Sequence, residues 1–409
     1  MNNGKTVGGF SLLALWFGAA VSLAEIMTGS LIAPLGLKAG IIAILLGHLI
    51  GCLILSFTGV IGFREKKPAL IASRLSMGTY GSYLISIFNI IQLIGWTAIM
   101  LIQCTRSLQA ITGKLMGFDS FTVLVIFTGI LVAIWALSND KGVTLLNNLA
   151  VALLLVLCVF VFAKIISTGE VKTLSQTISF GMALELSIIM PLSWVPLISD
   201  YTRSGKSLQG SFWGSFIGYF MGSSFMYILG LVFSLYTGTT DPVGMLSNMN
   251  LGLAALLIVV LSTVTTTFLD VYSSVMSTLN LSSGLSKKKL ILLFSALGIV
   301  LAIFFPMDNY INFLYMIGSL FAPAFSVILT DYYLYKQDRS INLFNIPGLL
   351  AMAAGIITYY STIPLDLMVG STIPSMIVTI MVYIVSRLVY DHYKLPHLQK
   401  GNIIEHNIR

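Results

Sequence analysis

The sequence predicts an all-α integral membrane protein of about twelve transmembrane helices, and three observations predict it. Of 409 residues, 57% are hydrophobic and only 9% charged, with a mean hydropathy of +0.94. A soluble domain carries about 25% charged residues, and no soluble fold hides so much apolar surface, so lipid is the solvent for most of the chain. Twelve apolar segments are each long enough to cross a bilayer core of roughly 30 Å, which takes about 20 helical residues. Finally, Lys and Arg alternate between dense and sparse in the connecting loops, as membrane topology requires.

The segments lie at approximately 8–35, 39–62, 78–105, 120–138, 145–166, 180–199, 211–237, 252–280, 290–306, 310–334, 345–362 and 367–390, and are called spans 1 to 12 below. Short loops leave no room for a soluble domain. The first segment lacks the short core and small-residue cleavage site of a signal peptide, so it reads as a span. With the amino terminus inside, only Lys38, Arg106, Lys114, Lys164 and Lys172 of the 22 Lys and Arg fall outside. A missed span would scramble that asymmetry. Both termini are therefore expected in the cytoplasm and the protein in the cell membrane, in contact with lipid. The net charge of +7 has this topological cause, and without a long basic arm it does not point to nucleic acid. Cys52, Cys104 and Cys158 sit in apolar segments without metal spacing and read as small core residues. No span pairs His, Cys and acids at catalytic spacing, which speaks against an enzyme.

Span 1 contains "VSLAEIMTGSLIAPLG" (21–36), an apolar stretch that carries Glu25 and a weak point around Gly18 to Gly29. Glu185 in span 6 and Asp270 in span 8 lie as deep, and no Lys or Arg lies equally deep. A charge at the bilayer centre costs at least about 2.5 kcal/mol, so such acids read as functional. The plain alternative is a protonated carboxyl bonded to a neighbouring helix. In span 3, "NIIQLIGWTAIM" puts Gln92 and Trp96 on one helix face, four residues apart; a flat ring stacked on the Trp with its edge read by the Gln fits that pair.

Span 6 reads "ALELSIIMPLSWVPLISDYTR". Pro191 and Pro196 each remove a backbone donor, and Ser193 and Trp194 lie between them. Freed backbone groups are tolerated at membrane depth only against protein or a wet cavity. Interrupted spans 1 and 6, five helices apart, predict two inverted five-helix repeats with the site where the broken helices meet. In span 8, "LSTVTTTFLDVYSS" clusters Ser262, Thr263, Thr265, Thr266 and Thr267 ahead of Asp270. Hydroxyls bonding back to their own helix account for one or two of these; the cluster suggests oxygen ligands for a small hard cation, Na+ first.

With these residues in view, the chain resembles the nucleobase–cation symporter family, of the cytosine-permease and hydantoin-transporter type. The resemblance covers essentially the whole chain. It is carried by "SDYTRSG" ending span 6, "TTTFLDVYSS" in span 8, "IGW" in span 3 and "FAPAFSVILTDYYL" in span 10. It implies a leucine-transporter-like five-plus-five inverted repeat followed by two extra helices, alternating access, and a nucleobase-like ring coupled to Na+. The expected organisation is a transporter core at 1–338 (repeats at about 8–166 and 180–335), two additional helices at 339–391, and a cytoplasmic tail at 392–409. By position, Trp96 matches the stacking Trp, Gln92 lies close to the polar partner there, and Ser193 matches a substrate-binding serine. Met190 and Pro191 fall on the unwound segment of span 6, with Trp194 substituting for an absent aromatic. Thr265 and Thr266 match the hydroxyl pair that binds Na+, joined by the carbonyls of Ser262, Gly18 and Val21.

Two departures bear on the substrate. After the Thr pair, Thr267, Phe268, Leu269 and Asp270 stand where cytosine-type members carry asparagines, and Glu25 has no matching acid. Extra acids imply a ligand rich in donors, such as an aminopyrimidine, because a charge-assisted pair is the stronger one. The hydroxymethylpyrimidine permease branch is most similar, so hydroxymethylpyrimidine, a thiamine precursor, is the preferred substrate and cytosine or another pyrimidine the next. A proton-coupled carrier using Glu25 or Asp270 and an amino-acid or amine carrier of the same fold are the alternatives. No cofactor beyond the coupling ion, Na+ or H+, is implied, and the chain is expected to act as a monomer.

Overall fold

The computed structural model describes residues 6–138, 141–168, 171, 172, 174, 176–239 and 252–406, with side chains except at 141–147, 165, 168, 252–256 and 393–406. Among the described residues the chain is helical throughout, with one isolated bridge between Val7 and Gly205. Span 1 is a bent pair, Gly9–Ala20 and Leu23–Leu35, turning by 62°. Leu37–Glu65, Arg74–Met116, Phe121–Leu137, Lys141–Thr168 and Phe180–Trp194 follow as spans 2 to 6, with Ile198–Thr202 closing span 6. Leu208–Thr237, Gly252–Leu281, Lys287–Phe304, Tyr310–Thr330, Ile346–Thr362 and Thr372–His406 are spans 7 to 12. The last helix runs through most of the expected tail at 392–409; residues 407–409 and the side chains of His397 and His406 lie outside the described part.

Small residues decide how the spans meet. In lipid, helices gain no hydrophobic drive from one another, so close backbone approach at Gly, Ala and Ser supplies the packing. Gly214, Gly218 and Gly222 repeat every four residues on span 7, hence along one face. A Cβ at each would collide with the backbone of Gly9, Leu13 and Phe17 respectively. Farther on, Gly230 receives the Ile26 backbone, and Gly29 the backbone of Tyr227. Span 7 is thus a ridge that holds both halves of span 1. Span 2 does the same for span 6, with Gly47 against Ser187, Gly51 against Pro191 and Gly62 against Ser199. Spans 1, 2, 6 and 7 form one bundle. Spans 3, 8 and 9 pack together, with span 4 against span 9, and spans 11 and 12 pair and lean on span 10.

Two expectations are corrected here. Met190 and Pro191 are not unwound: the helix runs from Phe180 through Pro191 to Trp194. The Pro191 ring lies against Gly51, where no side chain competes, and span 6 is interrupted only at 195–197, around Pro196. A helix ends readily ahead of a proline, whose ring crowds the residue before it. Glu185 is not part of a polar site in the bundle. Its carboxyl accepts from the Tyr359 hydroxyl at 2.5 Å, the Thr372 hydroxyl at 2.7 Å, and the backbone N–H groups of Ser371 and Thr372 at 2.9 Å each. Those amides open the helix of span 12, and a helix N-terminus favours an anion. Glu185 therefore fastens spans 11 and 12 to span 6.

Replacing Glu185 by Ala leaves four buried donors without an acceptor. A loss of at least about 4 kcal/mol of stability is expected, at about 1–3 kcal/mol per orphaned group. Thermal unfolding of the purified variant measures it, and ligand affinity of the folded fraction is expected to stay at the wild-type value.

Candidate functional site

A cavity of about 910 Å³ opens where span 1 breaks. It extends along the first half of span 1 toward Phe10 and Ser11 and is closed laterally by spans 3, 5, 6 and 8. The break itself follows from local chemistry. Ser22 is extended, and its Oγ accepts the Glu25 N–H at 3.4 Å, so it caps the second half-helix. Ser22 and Glu25 have the spacing of a capping box, but the Glu25 side chain does not turn back. It accepts from the Tyr219 hydroxyl at 2.8 Å and lies 2.6 Å from Ser223 Oγ, both on span 7.

The wall is mostly apolar and aromatic, the usual make-up of a small-molecule pocket. Trp96 is held edge-on by Phe313, with ring centres 5.3 Å apart, and by Tyr310 at 6.3 Å. The neighbouring Gly95 makes room for Phe313, since a Cβ there would strike the ring. Trp194 is held edge-on by Trp16 at 5.8 Å and Tyr219 at 6.5 Å. Trp16 is fully buried, lines the cavity, and its indole N–H has no partner among the described residues.

Of the residues read from the sequence, Trp96, Met190, Ser193, Trp194, Glu25, Asp270, Gly18 and Thr266 line this cavity. No hydrogen bond or ion pair among the described residues ties down the Asp270 carboxyl. Gln92 is off the wall. Its Nε2 donates to Asn89 Oδ1 and to the Ser193 carbonyl, each at 2.8 Å, so it ties span 3 to the end of span 6. Pro191 faces span 2, and Thr267 donates to the Thr263 carbonyl of its own helix. Thr265 and Thr266 both donate to the Ser262 carbonyl, at 3.0 and 2.9 Å, which gathers three oxygens on one turn of span 8. Thr266 faces the cavity with Gly18, whereas Thr265, Ser262 and Val21 lie off the lining. Val21 ends the first half of span 1, with its N–H on the Gly18 carbonyl at 3.2 Å.

Two residues escaped the sequence reading. Trp16 looks like ordinary packing in an apolar helix, and nothing local marks it. His48 is a lone histidine in span 2; its Nε2 lies 2.5 Å from Ser223 Oγ, behind Glu25.

A helical body in lipid, opened by an aromatic cavity at a mid-membrane helix break, defines a multi-pass membrane transporter rather than an enzyme. The sequence profile described as "Permease for cytosine/purines, uracil, thiamine, allantoin" matches residues 2–346, and the chain belongs to that family. Cytosine permease of Escherichia coli (strain K12) is 25% identical over 328 residues, 77% of this chain and 76% of that protein. Hydantoin permease of Microbacterium maritypicum is 26% identical over 181 residues, 43% of this chain and 36% of that protein. The inward-facing structure of Mhp1 superposes with a TM-score of 0.80 at 18% identity, covering 95% of this chain and 92% of Mhp1. A closed Mhp1 structure with bromovinylhydantoin bound, described as a nucleobase-cation-symport-1 family transporter, gives 0.78 at 19%, covering 94% and 92%. A Na+-coupled sialic acid symporter shares the fold more distantly, at 0.68 and 14%, covering 94% and 89%.

Base–aromatic stacking is worth about 1–3 kcal/mol per ring on truncation to Ala. Trp96→Ala is therefore expected to weaken binding of a ring of the kind this family carries by roughly 5- to 150-fold. Quenching of the remaining tryptophans on titration with a pyrimidine panel measures it.

Proposed function

We propose that the chain imports a pyrimidine-type ring into the cell, coupled to Na+, by alternating access. Hydroxymethylpyrimidine is the preferred substrate, and cytosine or a related base is next. The observation that carries this reading is the pairing, on one cavity wall, of aromatic faces with an Asp270 carboxyl that has no partner among the described residues. An aminopyrimidine supplies both complements, a flat ring for Trp96 and Trp194 and N–H donors for Asp270. Such a buried acceptor disfavours ligands without donors, because a site polar group left unpaired costs affinity. Ser193 and Met190 lie beside the ring, and Glu25 is a second acceptor at the cavity wall.

For the ion, the three oxygens gathered at Ser262, Thr265 and Thr266 supply one side of a Na+ site. The carbonyls of Gly18 and Val21, at the C-terminal end of the first half-helix, supply the other. Carbonyl ends of discontinuous helices are where such carriers hold cations. With both termini inside, the cavity opens to the cytoplasm, and the bundle of spans 1, 2, 6 and 7 rocks against the rest to open it outward. The chain works as a monomer in the plasma membrane. Because coupling is reciprocal, Na+ tightens the ring by the factor that the ring tightens Na+.

A second reading, coupling to protons, is favoured by one observation: the Ser223 and His48 side chains behind Glu25.

Two measurements test this. In reconstituted vesicles, a Na+ gradient is expected to drive uptake of labelled hydroxymethylpyrimidine or cytosine, and Thr266→Ala to abolish the Na+ dependence. Full uptake on a proton gradient alone, with Thr266→Ala neutral, overturns the Na+ assignment. Asp270→Asn is expected to weaken amino-substituted rings by roughly 10- to 100-fold, since a hydrogen bond to a charged group is worth about 1.5–3 kcal/mol. Rings without the amine should change little, and equal losses for both kinds would remove Asp270 from recognition.

A further inference from the structure

Glu25, Ser223 and His48 form an unbroken line of polar atoms leading from the cavity wall into the interface of spans 1, 2 and 7. Ser223 Oγ lies 2.6 Å from Glu25 Oε2 and 2.5 Å from His48 Nε2, and His48 Nδ1 lies 2.8 Å from the Ile44 carbonyl oxygen. Glu25 is 2% exposed, and both Ser223 and His48 are fully buried.

Hydrogen counting fixes the charge of this line. A carbonyl oxygen can only accept, so His48 Nδ1 carries a hydrogen. The Ser223 hydroxyl owns one hydrogen and faces two acceptor-capable atoms. If it donates to Nε2, Glu25 Oε2 must donate to Ser223, and the acid is protonated. If it donates to Oε2, Nε2 must donate to Ser223, and the ring is doubly protonated. Either way the line holds one proton more than a carboxylate beside a neutral imidazole. Without that proton, lone pairs would oppose each other across 2.5 or 2.6 Å, too close for a water to separate them.

The surroundings offer no substitute charge. Titratable groups packed around Glu25 are Tyr219 and Tyr227 from span 7, Cys52 and His48 from span 2, and Tyr310 from span 10. Asp270 and Tyr201 face the same cavity from spans 8 and 6. Tyr219 donates to the other carboxyl oxygen, Oε1, at 2.8 Å. The His48 ring is fixed edge-on by Tyr227, with ring centres 4.6 Å apart. Among the described residues no Lys or Arg meets Glu25 or His48.

We infer that Glu25, Ser223 and His48 are a proton-binding site on the wall of the transport cavity, occupied by one proton in this conformation and emptied when a donor-bearing ring reaches Glu25. Glu25 lines the cavity, so a ring amine can donate to it from there. Glu25 Oε2 then turns from Ser223 onto the ring's N–H, the Ser223 hydroxyl donates to His48 Nε2, and the proton leaves through the cavity with Glu25 ionised and His48 neutral. This rests on the proposed substrate reading of the same cavity: ring and proton exclude each other at Glu25, so the proton there competes with the ring and does not drive its uptake.

The full chain, folded in lipid nanodiscs, tests the proton directly and without any ligand. Infrared spectra near pH 7 are expected to show either a protonated carboxyl band that Glu25→Gln removes, or nitrogen-15 shifts of a doubly protonated ring that His48→Gln removes. Gln at position 25 can still donate to Ser223, so that variant is built to fold, and size-exclusion profiles check that it does. An ionised Glu25 beside a singly protonated His48 in the wild type overturns the proposal. Cytosine added to lightly buffered protein is then expected to release a proton from the wild type and none from Glu25→Gln. Cytosine binding without release in the wild type overturns the linkage. Failure of cytosine to bind at all counts against the substrate reading alone, because the spectra decide the proton.

Discussion

A helix that stops inside a membrane leaves amide and carbonyl groups with no water to bond, and the centre of this molecule is organised around that need at Val21 and Ser22. Ser22 turns its own hydroxyl onto the next turn, and the Val21 N–H folds back on Gly18. Neither device would hold without the glycine ridge of span 7, which brings backbone against backbone along both halves of span 1. The ridge also places Tyr219 and Ser223 on the same helix, one turn apart, where they meet Glu25. One packing face therefore sets the break, the orientation of the acid and the shape of the cavity.

The break also gives the cavity two electrical ends. The first half-helix points its carbonyls at the break, and the second half begins there with its amides. A helix carries partial negative charge at its carboxyl end and partial positive charge at its amino end. Cations are favoured near Gly18 to Val21 and acceptor groups near Glu25. Thr266 on span 8 and Asp270 one turn on face the same space, so an ion and a ring bound as proposed would lie within reach of each other's charge.

Much of this was legible in the sequence, and the failures share a cause. Span positions follow from hydropathy because lipid penalises every exception, and Glu25 and Asp270 stood out for the same reason. A weak point in span 1 was read around Gly18 to Gly29, and the break falls inside it at Val21 and Ser22, while Thr28, Gly29 and Ser30 stay helical. What could not be read was who meets whom. Pro191 looked like a helix breaker, yet Gly51 on another span accommodates its ring and the helix passes through. Gln92 looked free to read a ring, yet both its hydrogens are taken by Asn89 and Ser193. His48 gave no local signal because its partner lies 175 residues away. Propensity and periodicity are local, and the chemistry of these three residues is long-range.

Glu25, Glu185 and Asp270 show why partner count matters more than burial. All three lie where an isolated charge is costly, and depth alone made them look alike. Glu185 meets four donors, two of them at a helix N-terminus; a carboxyl so supplied has no capacity left for a ligand. Among the described residues no donor meets the Asp270 carboxyl, which lines the cavity. Glu25 lies between them. Tyr219 satisfies one oxygen, and the other shares a single serine hydrogen with a histidine, leaving a place for one proton. The same side-chain chemistry is thus structural, receptive or exchangeable according to how many hydrogens its neighbours bring, and a carboxylate short of donors by one is the kind of group that can trade a proton for a ring.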